Sequence, residues 1–380
     1  MILVGIAVGV SVIVFITALI TGLQANIIER TLGTQAHIKV QSPDEVNRIL
    51  PAAQGTTQLI LEDKRAQRLR SINNWQQVIG ILDHLDQVKA VSPIVSGPAF
   101  ARRGQSLQSV ALVGIDVVRY QRIIPIRDDI VSGQFRVGAG DAVIGKLLAD
   151  DLGLRVGDKL RLDAGFDGYS VVNIAGIFEL GVRELDSRYV YLDLKQAQSL
   201  LNLPGGVTVI DVTVRDIFAA DVTAARIGRL TGLKSESWMQ TNAQLMNALS
   251  SQSLSTSMIS LFVALSVAFG IASVLSVSVV QRTREIGILR AMGTTQQQML
   301  LVFLIQGALF GLAGSLLGSI AGYCLVWAFN NLGPGLFYIP VAGKLVPMAM
   351  AIATVTGVLS AAIPARRAAR LDPVVAIRYV

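Results

Sequence analysis

The stretch Gln281-Arg-Thr-Arg-Glu-Ile-Gly-Ile-Leu-Arg-Ala-Met-Gly293 decides how this chain is read. From Ser237 to Gln281 no side chain is charged; Arg282, Arg284, Glu285 and Arg290 then arrive together, and charge is absent again until Lys344. A charged side chain at the centre of a bilayer helix costs about 2.5 to 3.5 kcal/mol on insertion scales. Uncharged apolar runs of this length therefore mark membrane crossings, and the charged cluster marks a turn between two of them.

Working outward, four uncharged runs cover residues 1–28, 237–281, 291–343 and 345–365. One crossing takes about 20 apolar residues at a rise of about 1.5 Å each. The third run is longer than that and is broken by Asn330, Asn331, Gly333, Pro334 and Gly335, residues that favour a turn. Transmembrane helices are thus expected at 1–23, 256–280, 299–329 and 345–364, with a coupling segment at 281–298, an external loop at 330–344 and a tail at 365–380. After Trp238 the pattern is helical without a breaker until Gly270. Thr241, Asn242, Gln244, Asn247 and Gln252 are polar, so the second helix is expected to start outside the bilayer and enter it as one rod. Residues 1–23 lack a basic n-region and a clear A-x-A site, which favours a retained signal anchor over a cleaved peptide. The chain opens at Met1 with no cytoplasmic flank, so a native start further upstream is expected.

Charge sets the orientation. Residues 24–255 hold 25 Lys and Arg against 24 Asp and Glu, a net of +1, while the rest of the chain holds 8 against 2, a net of +6. Arg282, Arg284 and Arg290 flank the second and third crossings; Arg366, Arg367, Arg370 and Arg378 follow the fourth; the loop between third and fourth has Lys344 alone. Under the positive-inside rule the 281–298 segment and the tail are cytoplasmic, which places residues 24–255 outside the cytoplasmic membrane. Because that large soluble part is nearly neutral, the high pI does not imply a nucleic-acid partner.

The fold class expected is therefore membrane α-helical, four transmembrane helices with a large α/β extracytoplasmic domain inserted between helices 1 and 2. Its single Cys324 falls in the third crossing, so the domain is held by its core without disulfides. Alternating or β-branched runs predict strands near 36–42, 93–102, 107–115, 141–145, 157–162, 170–179, 188–192 and 207–214. Helical spacing predicts helices near 74–87, 145–152, 194–202 and 218–230. The polar stretch 43–71, with Pro43, Pro51 and Gly55, is expected to be an insertion.

Catalytic chemistry finds little support. Gly140-Asp-Ala-Val-Ile-Gly-Lys146 fits G-x-x-x-x-G-K, yet Leu147 stands where a phosphate-binding loop needs Ser or Thr for Mg²⁺; the bland reading is a strand entering a short helix. His37 and His84 lack metal-ligand spacing. Asp128-Asp129 and Asp150-Asp151 are adjacent acids, which point apart on most backbones and suit solvated turns. No G-x-S-x-G, H-E-x-x-H or S-x-x-K arrangement occurs. The chain is read as carrying no enzyme activity and no metal.

Two membrane features stand out. Gly307, Gly311, Gly314, Gly318 and Gly322 line one face of the third helix, where the missing Cβ atoms let backbones approach closely; Gly5 and Gly9 are expected to supply the partner face. In the charged segment, helix formers run up to Gly293, a suitable C-cap, and Ile286, Leu289 and Met292 recur at three-residue spacing. A short helix is expected to expose these apolar groups, ringed by charge. Left to itself this pattern fits a juxtamembrane anchor on lipid headgroups as well as helix-in-groove docking to a cytoplasmic partner.

Arg282-Thr-Arg284-Glu285-Ile286-Gly287-Ile288-Leu289-Arg290-Ala291-Met292-Gly293 resembles the signature loop of FtsX/MacB-type ABC transporter permeases. Pro364-Ala-Arg-Arg-Ala-Ala-Arg370-Leu-Asp-Pro373-Val is similar to their C-terminal motif. The resemblance covers the chain in order and is strongest to the lipoprotein-releasing (LolC/LolE-like) branch, which Gly22 and Leu152-Gly-Leu-Arg-Val-Gly-Asp158 also resemble. Two departures are the missing amphipathic helix before the first crossing and Val375 in place of an acid. The resemblance implies a MacB-like periplasmic core domain at 24–255 and an FtsX-like permease domain at 256–373. It implies a cytoplasmic ABC ATPase dimer that binds ATP and Mg²⁺, so that this chain has no cofactor of its own. A second permease subunit, identical or paralogous, and membrane lipid are further implied partners. Residues 284–293 would be the coupling helix: Arg284, Glu285, Ile286, Gly287, Leu289, Arg290, Met292 and Gly293, with Ile286 and Leu289 as anchors and Glu285 and Arg290 setting register. ATP-driven closure would move the stalk and push cargo, a lipoprotein, outside the membrane. Tripartite small-molecule or peptide efflux, and signal transduction to an external hydrolase, are the alternatives.

Overall fold

Strands form where β-branched residues alternate with polar ones, and the sheet they build shows which faces are buried. The computed structural model describes residues 2–44, 69–165, 169–333, 335, 337–340 and 343–371. Residues 45–68, most of the expected insertion, lie outside that set, as do Pro334, Asp372, Pro373 and Val375. In chain order the elements are α1 Ile2–Gly33, β1 Ile38–Gln41, α2 Trp75–Asp83, β2 Val88–Arg103, β3 Ser106–Ile115, α3 Val117–Tyr120, β4 Ile130–Gly133, β5 Asp141–Gly145, α4 Lys146–Leu152, β6 Lys159–Asp163, β7 Tyr169–Phe178, α5 Arg183–Arg188, β8 Tyr189–Asp193, α6 Leu194–Leu200, β9 Val209–Val214, α7 Ala220–Thr231, β10 Lys234–Ser237, α8 Trp238–Thr241, α9 Ala243–Gln281, α10 Thr283–Ala291, α11 Gln296–Leu332 and α12 Leu345–Ala369. They fall into two compact units, Arg30–Ala243 and Met1–Glu29 with Gln244–Val380.

The first unit is a mixed sheet in the order β10-β1-β9-β2-β3-β8-β5-β7-β4, with β6 pairing both β2 and β7. The β3–β8 and β5–β7 pairs are parallel and the others antiparallel. Because β6 bridges β7 back to β2, the strands β2, β3, β8, β5, β7 and β6 form a closed hydrogen-bonded ring, which removes the free edges an open sheet would leave. Alternate residues of these strands, among them Ala101, Leu112, Leu160, Leu162, Val172 and Val190, have no exposed surface. A second apolar layer packs Ile94, Val113, Ile115 and Val143 with Phe178 and Tyr191, whose rings meet edge-on at 5.3 Å.

All eight expected strands are present within a few residues. Those missed are β4 and β10, the two ends of the sheet order. Both are four residues long and neither has an alternating pattern to reveal it. The motif Leu152–Asp158 is a turn device: Gly153 caps α4 at φ 63°, and Asp158 accepts from the Arg155 amide at 3.0 Å and pairs with Arg103 at 3.2 Å.

Among the described residues, the second unit holds four helices long and apolar enough to cross a membrane, α1, α9, α11 and α12. α9 has 39 residues, about 58 Å at 1.5 Å each and nearly twice a hydrocarbon core of about 30 Å. It is not continuous from Trp238, as the sequence suggested. The chain breaks at Asn242, φ −107° and ψ 39°, whose side-chain amide donates to the Trp238 carbonyl at 2.8 Å. The Asn242 backbone N–H donates to the same carbonyl at 2.9 Å, so the last turn of α8 closes on Trp238 through both groups while the Asn242 backbone angles leave the helical region. α1 runs to Gly33, ten residues past its expected end. α12 continues through Pro364 to Ala369 and does not stop there, because a proline removes one backbone hydrogen bond while the surrounding buried alanines hold the helix.

Candidate functional site

Between α9 and α11 the chain turns twice, and those turns create α10. Arg282, at φ −104° and ψ 15°, breaks the helical run, and the Thr283 hydroxyl donates back to the Val279 and Val280 carbonyls at 3.0 and 2.9 Å. Glu285 in the first turn and Arg290 in the last complement the helix dipole. The helix ends because Gly293 adopts φ 102°, a left-handed conformation open to glycine. Its N–H donates to the Arg290 carbonyl and that of Thr294 to Leu289. Thr295 then starts α11 with a capping box: its hydroxyl accepts from the Gln298 amide, and the Gln298 side chain accepts from the Thr295 amide.

The helix has two faces. Ile286, 4% exposed, packs with Val279 of α9, Met299 and Phe303 of α11, and Ala365, Ala368 and Ala369 of α12. Gly287 is buried beside it, and the Arg290 guanidinium donates through Nη1 to the Leu371 carbonyl. The opposite face carries Ile288 and Leu289, each 44% exposed, and Met292, 73% exposed, flanked by exposed Arg284 and Glu285. This corrects the expected exposed row. At about 100° per residue, Ile286 lies about 120° around the helix from Met292. It therefore belongs to the inner face, and Ile288 takes its place outside. Arg290 likewise points inward, away from any partner on the outer face. Three-residue spacing could not tell inner from outer, because the ends of three other helices decide which face is covered.

The glycine row of α11 serves two neighbours. A Cβ on Gly307 would lie 2.6 Å from the Gly357 carbonyl, and one on Gly311 would lie 2.7 Å from that of Ala353; both belong to α12. Gly314, Gly318 and Gly322 face α1, where added Cβ atoms would meet Ile6, Ala7 with Val10, and Val14 with Ser11. The expected partner glycines differ: nothing lies within 4 Å of a Cβ on Gly5, and Gly9 packs against Val263 and Val267 of α9. The face that α1 turns to α11 presents the Ile6, Val10 and Val14 side chains, with the backbone of Ala7 and Ser11 between them, to the notches that the α11 glycines leave.

The sheet unit holds no assembled catalytic group among the described residues. Gly140–Lys146 is the turn, strand β5 and start of α4. Lys146 is paired with Glu179 at 2.7 Å, and a Cβ on Gly145 would meet the Asp186 carbonyl. His37 Nδ1 sits 3.1 Å from both the amide nitrogen and the carbonyl oxygen of Val214, and burial holds its pKa below the usual imidazole value. His84 Nδ1 is engaged with the Gly80 carbonyl oxygen at 2.6 Å. Burial, followed by Asp128, lifts Asp129 above the ordinary carboxylate range.

One buried acid went unnoticed in the sequence. Asp211 of β9 lies opposite Lys39 of β1 and Ser92 of β2, 5% exposed, with Oδ1 unpartnered among the described residues. Burial pushes its pKa up to about 6, with Lys39 opposing the shift. The folded form therefore takes up a proton before the unfolded form does. Stability of this unit falls as pH rises from about 4 to about 6 and stays low above that. Asp211→Asn removes the charge at constant shape. It should stabilise the unit by roughly 3 kcal/mol at pH 8 and scarcely at pH 4, given two pKa units at about 1.4 kcal/mol each. Thermal unfolding of the full chain at the two pH values measures this. Equal effects at both would show that Asp211 is not an unpaired buried charge.

Comparison with known proteins bears on both units. The family described as MacB-like periplasmic core domain matches residues 1–230, and the one described as FtsX-like permease C-terminal matches residues 257–373. The lipoprotein-releasing system transmembrane protein LolC of Xylella fastidiosa (strain 9a5c) is 27% identical over 417 residues, covering 99% of this chain and 92% of that protein. LolE of Haemophilus influenzae is 24% identical over 405 residues, covering 97% and 91%. The macrolide export ATP-binding/permease protein MacB of Shewanella oneidensis is 41% identical over 108 residues, covering 28% of this chain and 16% of that protein.

Proposed function

Because the chain belongs to the FtsX/MacB-type permeases, built on a MacB-like periplasmic core domain and an FtsX-like permease region, we propose that it is an ABC transporter permease subunit driven by a separate ATPase docked on the outer face of α10. The observation that carries this reading is the row Ile288, Leu289 and Met292, exposed between Arg284 and Glu285 on a helix whose other face is already buried. Apolar groups at helical spacing on a seated helix are what helix-in-groove docking uses. ATP and Mg²⁺ belong to the ATPase dimer, and this chain supplies no catalytic residue. Residues 24–255 are extracytoplasmic between the first two transmembrane helices, and 281–298 with the tail are cytoplasmic, in a bacterial inner membrane. The charge asymmetry supports this orientation. A second permease subunit completes the assembly.

The cargo we assign is a lipoprotein. The relatives that align over 97 to 99% of the chain and over 91 to 92% of their own length are named for lipoprotein release, whereas MacB of Shewanella sp. (strain W3-18-1) aligns over 78% of this chain and 47% of its own length. Proteoliposomes holding the permease, its cognate ATPase and a triacylated lipoprotein test this. ATP should raise the soluble lipoprotein fraction, and the lipoprotein should raise ATP turnover where macrolides do not. Turnover that rises with macrolides or peptides and ignores lipoprotein would transfer the assignment to efflux.

A further inference from the structure

Arg290 lies on the face of α10 turned away from the proposed dock. Its Nη1 donates to the carbonyl oxygen of Leu371, two residues past the last helical residue of α12, and its Nε is buried with no acceptor among the described residues. An arginine on a short, half-exposed helix is ordinarily free to swing into water, and folding it inward costs hydration. What lies inward is the C-terminal end of α12, where helices leave carbonyls unpaired and carry the negative end of their dipole. One turn earlier on the same face, Ile286 is shared by α9, α11 and α12. The two contacts differ in kind. The apolar seat holds α10 against three helices without fixing its rotation, while the hydrogen bond is directional and reaches α12 alone.

Resting on the reading of α10 as the ATPase dock, we infer that Arg290 is a positioning residue that locks α10 to the end of α12. Movement imposed on α10 is thereby delivered to α12, and through the close glycine contacts to α11. Without the bond the ATPase still docks, but the helix turns in its seat and the movement is lost.

The test uses the full permease with its cognate ATPase in nanodiscs. Arg290→Ala should co-purify the ATPase at the wild-type ratio while its stimulation of ATP turnover falls about tenfold, within the usual range of coupling free energies. Arg290→Lys, which keeps the charge, should recover part of it. In a Cys324→Ala background, Arg290→Cys with Leu371→Cys should regain stimulation when joined by a bifunctional thiol reagent about as long as the lost arginine side chain, because a covalent tie replaces the hydrogen bond. Loss of co-purification in Arg290→Ala would make Arg290 a contact residue and overturn the inference with the dock intact; so would unchanged stimulation. If Arg290→Ala fails to fold, Arg290→Lys decides, and unchanged stimulation in that variant overturns the inference, as does a joined cysteine pair without regained stimulation. Retention of the ATPase by Leu289→Asp with Met292→Asp is a different failure, that of the dock itself, and removes this inference with it.

Discussion

Leu289→Asp combined with Met292→Asp is expected to abolish both capture and stimulation of the partner ATPase while the permease itself folds normally. Each side chain is well exposed in the permease alone, and surface substitutions away from packed features typically change stability by no more than about 0.5 kcal/mol. In a docked groove the same two side chains would contribute roughly 1.5 to 3 kcal/mol each by burial. Two carboxylates placed there would add the cost of unpaired charge. A combined loss above about 5 kcal/mol is more than a thousandfold in affinity. Co-purification from membranes and steady-state ATP turnover check the result, and full stimulation by the double variant would exclude α10 as the dock. Ile286→Asp, the choice the sequence pattern favours, is not equivalent. It puts a carboxylate among Val279, Met299, Phe303 and three alanines, so its expected effect is loss of folded permease.

The second large effect lies in the membrane helices. Gly311→Leu should prevent α11 and α12 from packing, because its Cβ would meet the Ala353 carbonyl at 2.7 Å and Thr354 Cα at 3.0 Å. These are backbone atoms that cannot rotate aside. Overpacking a close contact costs typically 1 to 3 kcal/mol and more where backbone must move, so at least about 3 kcal/mol is expected here. Gly5→Leu is the matched control, with nothing within 4 Å of its Cβ. Size-exclusion profiles and melting temperatures in detergent should show a lower or absent folded population for Gly311→Leu and a wild-type one for Gly5→Leu. Equal behaviour would mean that the α11 glycines are not a close-packed face.

The membrane helices and the sheet were legible because each has a one-dimensional signal. Bilayer crossing excludes charge along some 20 consecutive residues, and half-buried strands alternate; both survive without knowledge of any neighbour. What escaped needs a neighbour to be seen. Asn242 ends a helical run by leaving the helical backbone angles, with its side chain and its N–H both on the Trp238 carbonyl, which the polar composition around it does not announce. The partner face for Gly314, Gly318 and Gly322 falls on Ile6, Val10 and Val14 of α1, whereas Gly307 and Gly311 meet the α12 backbone at Gly357 and Ala353, and sequence spacing alone does not say which neighbour each glycine faces. Ile286 and Leu289, so alike in sequence, part company only because α9, α11 and α12 end together on one side of α10. Asp211 sits in a strand otherwise made of Val, Ile and Thr, and its burial on both sides depends on β1 and β2 flanking it.

Site-specific photo-crosslinking shows directly which face of α10 meets the ATPase. A photoreactive side chain placed singly at 286, 288, 289 and 292 in the full permease, irradiated in membranes with the cognate ATPase present, is predicted to capture the ATPase from 288, 289 and 292 and to stay within the permease from 286. Capture of the ATPase from 286, or of lipid alone from the three outer positions, would contradict it.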